Sequence, residues 1–346
     1  MTYSEFRKLV KAELEENPDG KTWKQLREAL SLPYRTPCPE WVKKLETEIG
    51  LDRTQKRGKS LIWKLDRWAN PHVNETLCTV TPTLCALLGA EAPSFTSGAI
   101  SRKVIQEAER VLGKALVQRC LVFAPDAMGS HLRTINPGIY QPVMTLAPLE
   151  LSLRAVLPPK TPVCFASMFT GLIPDMHGIR SYEKPVLACE TLFDTLAPAG
   201  LRMAIVAVED SSIDLIFRGR QVDYFTEEYD QQVVIRVLSL LEKGSHDFIL
   251  AYCQEYDDAL HRTDPYSSEA LKAAEHHISD FARLSEAVDL YWGSFNRILL
   301  FAPDHGAHID AQKGNGTHGD DIPEDMEVSH FWVFRKGMKV ENDDTQ

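Results

Sequence analysis

Short apolar runs and longer amphipathic segments alternate along the C-terminal part of the chain. The apolar runs have the length and composition of buried strands. They cover residues 119–124, 203–208, 247–253, 297–302 and 331–334. The longer segments have apolar residues at helical spacing and cover residues 104–116, 233–241 and 273–292. This alternation predicts an α/β fold, in which a mostly parallel sheet carries helices on both faces.

The first 66 residues follow a different pattern, that of a small α+β unit. Three short helical segments are predicted, the second capped by Thr22 and the third opened by Pro39. A strand, a basic turn and a second strand follow, and this arrangement resembles a winged helix. The basic residues expected to face outward are Lys43, Lys44, Lys56, Arg57 and Lys59. DNA contact through the third helix and the hairpin is one interpretation, and a docking or dimerisation module that contacts protein is the other.

The net charge also differs between the two parts of the chain on either side of residue 66. Residues 1–66 hold 14 Lys and Arg against 11 Asp and Glu, a net charge of +3 within a total of −11 for 346 residues. The remainder therefore carries −14, which argues against nucleic-acid binding over the whole surface. We predict a winged-helix-like domain over 1–66, a linker or ordered lead-in over 67–100, and the α/β domain over 101–346.

The composition also indicates a compartment. Residues 1–11 lack the apolar core of a signal peptide, and charges interrupt every apolar stretch well short of the roughly 20 residues that a membrane helix needs. Seven cysteines without a C-x-x-C pair are typical of reduced thiols. The sequence predicts a cytoplasmic protein without membrane contact.

Acidic residues follow three of the predicted strands. The tetrapeptide Phe-Ala-Pro-Asp occurs twice, ending in Asp126 and in Asp304, and Asp257 follows the run 247–253. Because the carboxyl ends of parallel strands meet at one edge of a sheet, these carboxylates are expected to lie close together. They would repel one another there, and divalent cations would remove that conflict. With histidines nearby and no cysteine at metal spacing, the pattern indicates a divalent metal site suited to hydrolysis.

A threonine precedes a further helical segment. Residues 165–172 can form one or two helical turns after a Pro-Pro-Lys sequence, which places the Thr161 hydroxyl near a helix N-terminus. Backbone N–H groups and the helix dipole favour an anion at that position. With a metal bound, the hydroxyl could ionise and act as a nucleophile, whereas a lone Thr before Pro is usually a simple cap.

Four motifs in this order resemble the alkaline phosphatase superfamily, in its branch of type I phosphodiesterases and nucleotide pyrophosphatases. The first is Asp126 after a strand, and the second is Thr161 nine residues before a Thr-Gly pair, followed by a His-Gly-Ile sequence. The third is Asp257-x-x-x-His261. The fourth is Asp304-His305-Gly306, followed by the Thr-His-Gly loop that contains His318. The resemblance covers roughly residues 119–335.

The resemblance implies an alkaline-phosphatase-like fold and two divalent metal ions, usually zinc, with manganese as the alternative. One ion would be held by Asp257, His261 and His318. The other would be held by Asp126, Thr161, Asp304 and His305. Thr161 would attack phosphorus in line, and water would then hydrolyse the phosphothreonine intermediate.

The chain departs from this family close to the expected nucleophile. Nucleotide pyrophosphatases place an asparagine there or on a neighbouring loop as a donor to the phosphoryl oxygen, whereas the residue three after Thr161 is Cys164. Lys160 or backbone N–H groups would take that role, and Lys160 and Cys164 are the candidate substrate-binding residues. His330 is a rival to His318, and Asp258 is a rival to Asp257.

The sequence therefore predicts a metal-dependent hydrolase, a two-metal phosphodiesterase that acts on a small phosphate-containing substrate. A phosphomonoesterase or a phosphonate hydrolase would use the same site. A DNA-binding regulator, whose metal domain senses a phosphorylated ligand, is the alternative from another class. The positive charge of residues 1–66 is what supports it.

Overall fold

The apolar runs of the C-terminal part of the chain form one central sheet, as their alternation with helices predicted. The structure is a computed structural model that describes residues 2–17, 20–48, 51–53, 56–58, 60–65 and 75–338. It contains two compact units, Met1–Asn74 and Glu75–Gln346.

The first unit combines three helices with a small antiparallel sheet. Its elements are α1 (Tyr3–Glu16), β1 (Lys21–Thr22), α2 (Trp23–Ala29), α3 (Pro39–Glu48), β2 (Leu51–Asp52), β3 (Lys56–Arg57) and β4 (Ser60–Leu65). Strand β4 lies between β1 and β2 and also pairs with β3, and all of these pairings are antiparallel. The core includes Phe6, Leu26, Leu45 and Trp63. Thr22 caps α2, as predicted, because its hydroxyl accepts the N–H of Gln25.

The predicted three helices and hairpin are thus present in the first unit. Lys43, Lys44 and Lys56 are exposed, as predicted, whereas Lys59 and the predicted boundary near residues 66–70 lie outside the described residues. The interpretation as a winged helix, and contact with DNA or protein, stay predictions.

The second unit is built from alternating strands and helices. Its strands are β5 (Glu75–Thr76), β6 (Arg119–Pro125), β7 (Leu149–Arg154), β8 (Met203–Val208), β9 (Asp223–Glu227), β10 (Phe248–Cys253), β11 (Arg297–Phe301), β12 (His308–Ile309), β13 (Gly316–Thr317) and β14 (Glu327–Arg335). Its helices are α4 (Val80–Leu88), α5 (Arg102–Leu112), α6 (His131–Ile135), α7 (Gln141–Leu146), α8 (Thr161–Thr170), α9 (Pro174–His177), α10 (Leu192–Leu196), α11 (Ser212–Ile216), α12 (Asp230–Lys243), α13 (Glu255–Arg262), α14 (Ser268–Trp292) and α15 (Pro323–Met326), with a 3-10 turn at Leu77–Thr79. Every helix in the described ranges is too short or too polar to cross a membrane.

Eight of these strands form one sheet, in the order β5-β7-β14-β11-β6-β10-β8-β9. Strand β14 runs antiparallel to both of its neighbours, β7 and β11. The other pairings are parallel. The predicted mostly parallel sheet is therefore confirmed, and its central strands β11, β6 and β10 are adjacent.

Helices cover both faces of this sheet, as predicted. Successive side chains of β6 alternate between two hydrophobic cores, because neighbouring residues of a strand point to opposite faces. Cys120 and Val122 belong to the core that contains α4 and α8, whereas Leu121 and Phe123 belong to the core that contains α12 and α14.

Residues 75–100, for which the sequence predicted a linker or an ordered lead-in, belong to the second unit. Strand β5 pairs with β7 at one end of the sheet. In α4 every residue except Ala86 is buried. A helix that is buried on all sides has no polar stripe, so the sequence of α4 gives no clear helical period.

Candidate metal centre

Three carboxylates lie at the carboxyl-terminal edge of the central strands. Asp126 directly follows β6, Asp257 lies in the first turn of α13 after β10, and Asp304 follows β11. Because β11, β6 and β10 are parallel neighbours, the segments that leave them meet at one edge of the sheet. The structure therefore places the three acids at the edge where the sequence predicted them, and it brings the predicted histidines next to them in two groups.

The first group, the Asp126 cluster, consists of Asp126, Asp304 and His305. His305 Nε2 lies 3.5 Å from Asp126 Oδ1 and 3.3 Å from Asp304 Oδ2. All three side chains are buried. Asp304 Oδ1 accepts a hydrogen bond from the Ala127 N–H, whereas Asp304 Oδ2 is buried and has no hydrogen-bond partner among the described residues.

The second group, the Asp257 cluster, consists of Asp257, His261 and His318. Asp257 Oδ1 lies 3.4 Å from His261 Nε2 and 3.5 Å from His318 Nε2. This oxygen is buried, and no residue in the described part of the chain forms a hydrogen bond with it. The His318 ring stacks on that of His305, with 4.1 Å between the ring centroids. The two clusters therefore adjoin.

Thr161 is the first residue of α8 and lies against the Asp126 cluster. Its Oγ1 lies 3.4 Å from Asp126 Oδ1, to which it donates, and 3.3 Å from His305 Nε2. The carbonyl of Pro159, two residues earlier, accepts a hydrogen bond from His318 Nδ1 at 3.0 Å. The segment that carries the Thr161 hydroxyl therefore contacts both clusters.

All three histidines present the same nitrogen to the centre. The Nδ1 atoms of His261, His305 and His318 each lie 3.0 Å from a backbone carbonyl oxygen. A carbonyl can only accept, so Nδ1 carries the hydrogen and a neutral ring has its lone pair on Nε2.

The orientation of these rings fits a metal centre. The Nε2 atoms of His261 and His318 lie 3.2 Å apart, where two lone pairs would repel each other and a cation would relieve the repulsion. A histidine that donates from its other nitrogen to a carbonyl is typical of metal ligands. Aspartate oxygens, imidazole nitrogens and a hydroxyl form a donor set suited to zinc or a similar divalent ion.

Burial perturbs the ionisation of these groups. Burial, with the charges of Asp304 and then Asp257, raises the pKa of Asp126 well above its ordinary value. Burial and the charge of Asp304 do the same to the pKa of Asp257, and burial raises the pKa of Asp304 to about 7. Burial lowers the pKa of His305 to about 3 and that of His318 well below its ordinary value. Unshielded negative charge is therefore costly here, and divalent cations would offset it.

Without metal, the protein is expected to lose stability relative to the zinc-loaded protein as the pH rises to 7, which is about the pKa of Asp304. The raised pKa values mean that the folded state holds protons on carboxyls that are ionised in the unfolded chain. The stability that each such carboxyl contributes is fully present below its pKa in the unfolded chain. As the pH rises, this contribution falls by about 1.4 kcal/mol per pH unit, until the pH passes the pKa of that carboxyl in the folded protein. The buried histidines are neutral in the folded state with and without metal, so they do not contribute to the difference between the two forms.

Urea unfolding of chelator-treated and zinc-loaded protein at pH 5, 6 and 7 measures this loss. The zinc-loaded protein, whose carboxylates would be ionised in the folded state, is the reference and should not show it. A difference in unfolding free energy between the two forms that is the same at pH 5 and pH 7 would contradict the expectation.

Two residues that the sequence analysis did not identify support the clusters. The Tyr252 hydroxyl, on β10, donates to Asp126 Oδ2. Asp325, on α15, is fully buried and accepts hydrogen bonds from the N–H groups of Gly319 and Asp320, directly after His318. Neither residue carries a local signal, because a tyrosine in a buried strand and an aspartate in a short acidic helix are both ordinary.

Lys160 and Cys164, the candidate substrate-binding residues, are placed differently. A Cβ atom added to Gly319, next to His318, would lie 3.1 Å from Lys160 Nζ, so the Lys160 ammonium lies beside the Asp257 cluster. Cys164 is fully buried in the hydrophobic core, and burial raises the pKa of its thiol well above the ordinary value. Its position favours a packing role over contact with a substrate.

The rival ligands are accounted for by other contacts. His330 is fully buried and its Nε2 donates to the Pro303 carbonyl at 2.8 Å, outside both clusters. Asp258 Oδ2 accepts the Tyr229 hydroxyl at 2.8 Å. His308 donates from Nδ1 to Asp325 Oδ1 at 2.8 Å and thus contacts a supporting residue rather than either cluster.

Replacing Gly306 with alanine is expected to disturb the segment that carries Asp304 and His305. A Cβ atom there would lie 2.0 Å from the Glu324 carbonyl oxygen and 3.1 Å from the Gly129 Cα. Both neighbours are backbone atoms, so the segment itself must move, at an expected cost of about 1–3 kcal/mol. Urea unfolding measures this cost, with Gly138→Ala as the control, since a Cβ at Gly138 meets only Asn136 Oδ1 at 3.8 Å. Equal stability of the two variants would contradict the close packing at Gly306.

No protein-family model matches the chain, and no curated protein matches it by sequence. Among solved structures, phosphonoacetate hydrolase from Sinorhizobium meliloti in complex with phosphonoformate is similar, with 15% identity and a TM-score of 0.44 over 57% of this chain and 59% of that chain. Murine ectonucleotide pyrophosphatase/phosphodiesterase 5 gives 17% identity and a TM-score of 0.45 over 56% of this chain and 59% of that chain. The human protein of the same name gives 16% identity and a TM-score of 0.45 over 57% of this chain and 59% of that chain.

The chain thus spans less than two thirds of the length of the solved structures it matches. At this level of identity, the activity of the present chain has to be argued from its own site.

Proposed function

We propose that this chain is a two-metal phosphoesterase of the phosphodiesterase type, with Thr161 as its nucleophile. The observation that carries the proposal is the position of Thr161 Oγ1 against the Asp126 cluster, in a segment that also contacts the Asp257 cluster. The Asp257 cluster would hold one divalent ion. The Asp126 cluster and Thr161 would hold the other. Zinc suits this donor set, with manganese as the alternative.

Two divalent cations, when bound, would stabilise an ionised Thr161 and the negative charge that develops on the phosphoryl group. Thr161 Oγ1 then attacks phosphorus, a new O–P bond forms, and the bond from phosphorus to the leaving oxygen breaks. The leaving oxygen takes up a proton and departs as an alcohol. Water next attacks the phosphorus of the phosphothreonine and the Thr161 O–P bond breaks. A phosphate monoester departs, and a proton from the water restores the Thr161 hydroxyl.

The surroundings of Thr161 suit this role. Its position at the first residue of α8, a helix of ten residues, lets the helix N-terminus face an anionic substrate. The Tyr252 hydroxyl donates a hydrogen bond to Asp126 Oδ2, while Asp126 Oδ1 faces Thr161 and His305. Burial of Thr161 and the Asp126 cluster strengthens electrostatic interactions with the reacting group.

The charge of the site favours a diester over a monoester. Three carboxylates and an ionised Thr161 carry four negative charges, which two divalent cations balance. The Lys160 ammonium, beside His318, then remains to meet the charge of the substrate. A phosphodiester carries one negative charge near neutral pH, which matches the single positive charge of Lys160. A monoester dianion carries two and exceeds that charge.

Side-by-side hydrolysis of bis-p-nitrophenyl phosphate, p-nitrophenyl phosphate and phosphonoacetate by the zinc-loaded protein tests the substrate class. The proposal expects the highest kcat/KM for the diester. A higher value for p-nitrophenyl phosphate or for phosphonoacetate would instead assign a phosphomonoesterase or a phosphonate hydrolase to the same site.

A further inference from the structure

A third group of metal-binding side chains lies outside both clusters. Asp230 at the start of α12, Cys253 at the end of β10 and His277 on α14 have their polar atoms within 4.8 Å of one another. All three residues are buried. Their chemistry alone would suggest another metal site or a Cys-His-Asp triad.

The hydrogen bonds of this group exclude both of those roles. His277 Nε2 accepts the backbone N–H of Tyr256 at 3.2 Å, so its hydrogen lies on Nδ1, which is 3.8 Å from Asp230 Oδ2. A ring whose Nε2 lone pair is occupied and whose Nδ1 is protonated has no nitrogen free for a metal or for a thiol proton. Burial lowers the pKa of His277 to about 3, which keeps the ring neutral.

Asp230 binds the same stretch of backbone. Its carboxylate accepts the N–H of Gln254 at 2.9 Å on Oδ1 and at 3.1 Å on Oδ2, and the N–H of Glu255 at 2.8 Å on Oδ2. Asp230 and His277 thus satisfy three successive N–H groups, from Gln254 to Tyr256.

These N–H groups form the start of α13. Helix α13 begins at Glu255, and its N-cap residue, Gln254, makes no capping hydrogen bond with its own side chain. The first N–H groups of a helix have no partner within the helix and need an acceptor from elsewhere. Asp230 and His277 supply those acceptors from two other helices.

The helix held in this way carries two residues of the Asp257 cluster. Asp257 directly follows Tyr256, and His261 lies one turn later. We propose that Asp230 and His277 are positioning residues, which fix the start of α13 and thereby place Asp257 and His261 for metal binding. Metal-ligand distances tolerate deviations of only about 0.2 Å, so a small displacement of this helix weakens the site.

The measurement of metal binding rests on the proposed function. We expect metal affinity to fall at the Asp257 cluster and to stay the same at the Asp126 cluster. His277→Leu removes the acceptor of the Tyr256 N–H and fills its place in the core with an apolar side chain. Cobalt titration of chelator-treated protein, followed by the visible absorption of bound Co²⁺, is expected to show one of two sites weakened about 10- to 100-fold, the size of effect that loss of an outer-shell partner gives. The site at the Asp126 cluster should retain its affinity.

Two further variants separate positioning from general destabilisation. His277→Gln places an amide oxygen close to the position of Nε2 and is expected to restore the affinity. Phe281→Leu is the control. Phe281 lies one turn further along α14, in the same core, and its ring contacts the rings of Phe123 and Phe301. It should leave both cobalt affinities unchanged. If Phe281→Leu weakens cobalt binding as much as His277→Leu, or if His277→Leu binds both ions like the unmodified protein, the inference is wrong.

Amide hydrogen exchange supplies a readout that needs no metal. Exchange at Glu255 and Tyr256 should speed up at least tenfold in His277→Leu and stay slow in Phe281→Leu. If the unmodified protein binds no cobalt, the proposed function fails, while this exchange result still decides whether His277 holds α13. Should His277→Leu fail to fold, Asp230→Asn replaces it, since the amide keeps one acceptor oxygen. Unchanged exchange at Gln254 and Glu255 in that variant would overturn the inference.

Discussion

Thr161→Ala is expected to abolish hydrolysis of phosphodiesters and to leave the fold intact. Thr161 Oγ1 is the nucleophile in the proposed function, and it lies within 3.4 Å of both Asp126 Oδ1 and His305 Nε2. Removing a catalytic nucleophile typically lowers kcat by about four to six orders of magnitude. Steady-state hydrolysis of bis-p-nitrophenyl phosphate measures the loss, and metal analysis checks that the Asp and His ligands still bind.

Two control variants make this result specific. Thr161→Ser keeps a hydroxyl at the same position and should retain measurable turnover. Thr170→Ala removes a buried threonine at the other end of α8, whose hydroxyl donates to the Ala166 carbonyl, and should keep nearly full activity. Turnover by Thr161→Ala within tenfold of the unmodified protein would mean that water attacks phosphorus directly.

Asp304→Asn is expected to remove one metal ion per chain and, with it, nearly all activity. Asp304 is fully buried, and its Oδ2 lies 3.3 Å from His305 Nε2. Within the residues that the structure describes, this oxygen has no hydrogen-bond partner. An amide keeps the shape of the carboxylate but lacks its charge, so the Asp126 cluster loses much of its attraction for a divalent cation. Elemental analysis after dialysis against limiting zinc measures the number of ions bound.

Asp175→Asn is the control for this substitution. Asp175 lies on the surface, where it pairs with Arg180, so the same chemical change should alter neither metal content nor turnover. An unchanged metal content in Asp304→Asn would remove Asp304 from the set of ligands.

Much of the fold could be predicted because the central strands are buried on both faces. The structure has β8 over the predicted residues 203–208, and β6 extends the predicted 119–124 by one residue. Strands β7 and β9 were not predicted, since they lie nearer the ends of the sheet and mix exposed or half-buried positions with buried ones. Helix α5 ends at Leu112 rather than at residue 116, because Gly113 adopts a positive φ of 71°.

The candidate site could be predicted where chemistry and strand order coincide. Asp126, Asp257 and Asp304 were located by their positions after parallel strands, and the resemblance to a family supplied the partition of their histidines. The supporting residues Tyr252 and Asp325, and the pair Asp230 and His277, were not predicted. Their roles arise from contacts between distant segments, such as the 126 residues that separate Tyr252 from Asp126, and such contacts leave no local pattern.

Zinc titration of chelator-treated protein, followed by hydrolysis of bis-p-nitrophenyl phosphate, tests the proposed two-metal phosphoesterase most directly. The proposed function predicts negligible turnover without metal and activity that rises to a plateau at about two equivalents of zinc per chain. The same turnover without metal, or no zinc bound and no turnover at any zinc concentration, would contradict it.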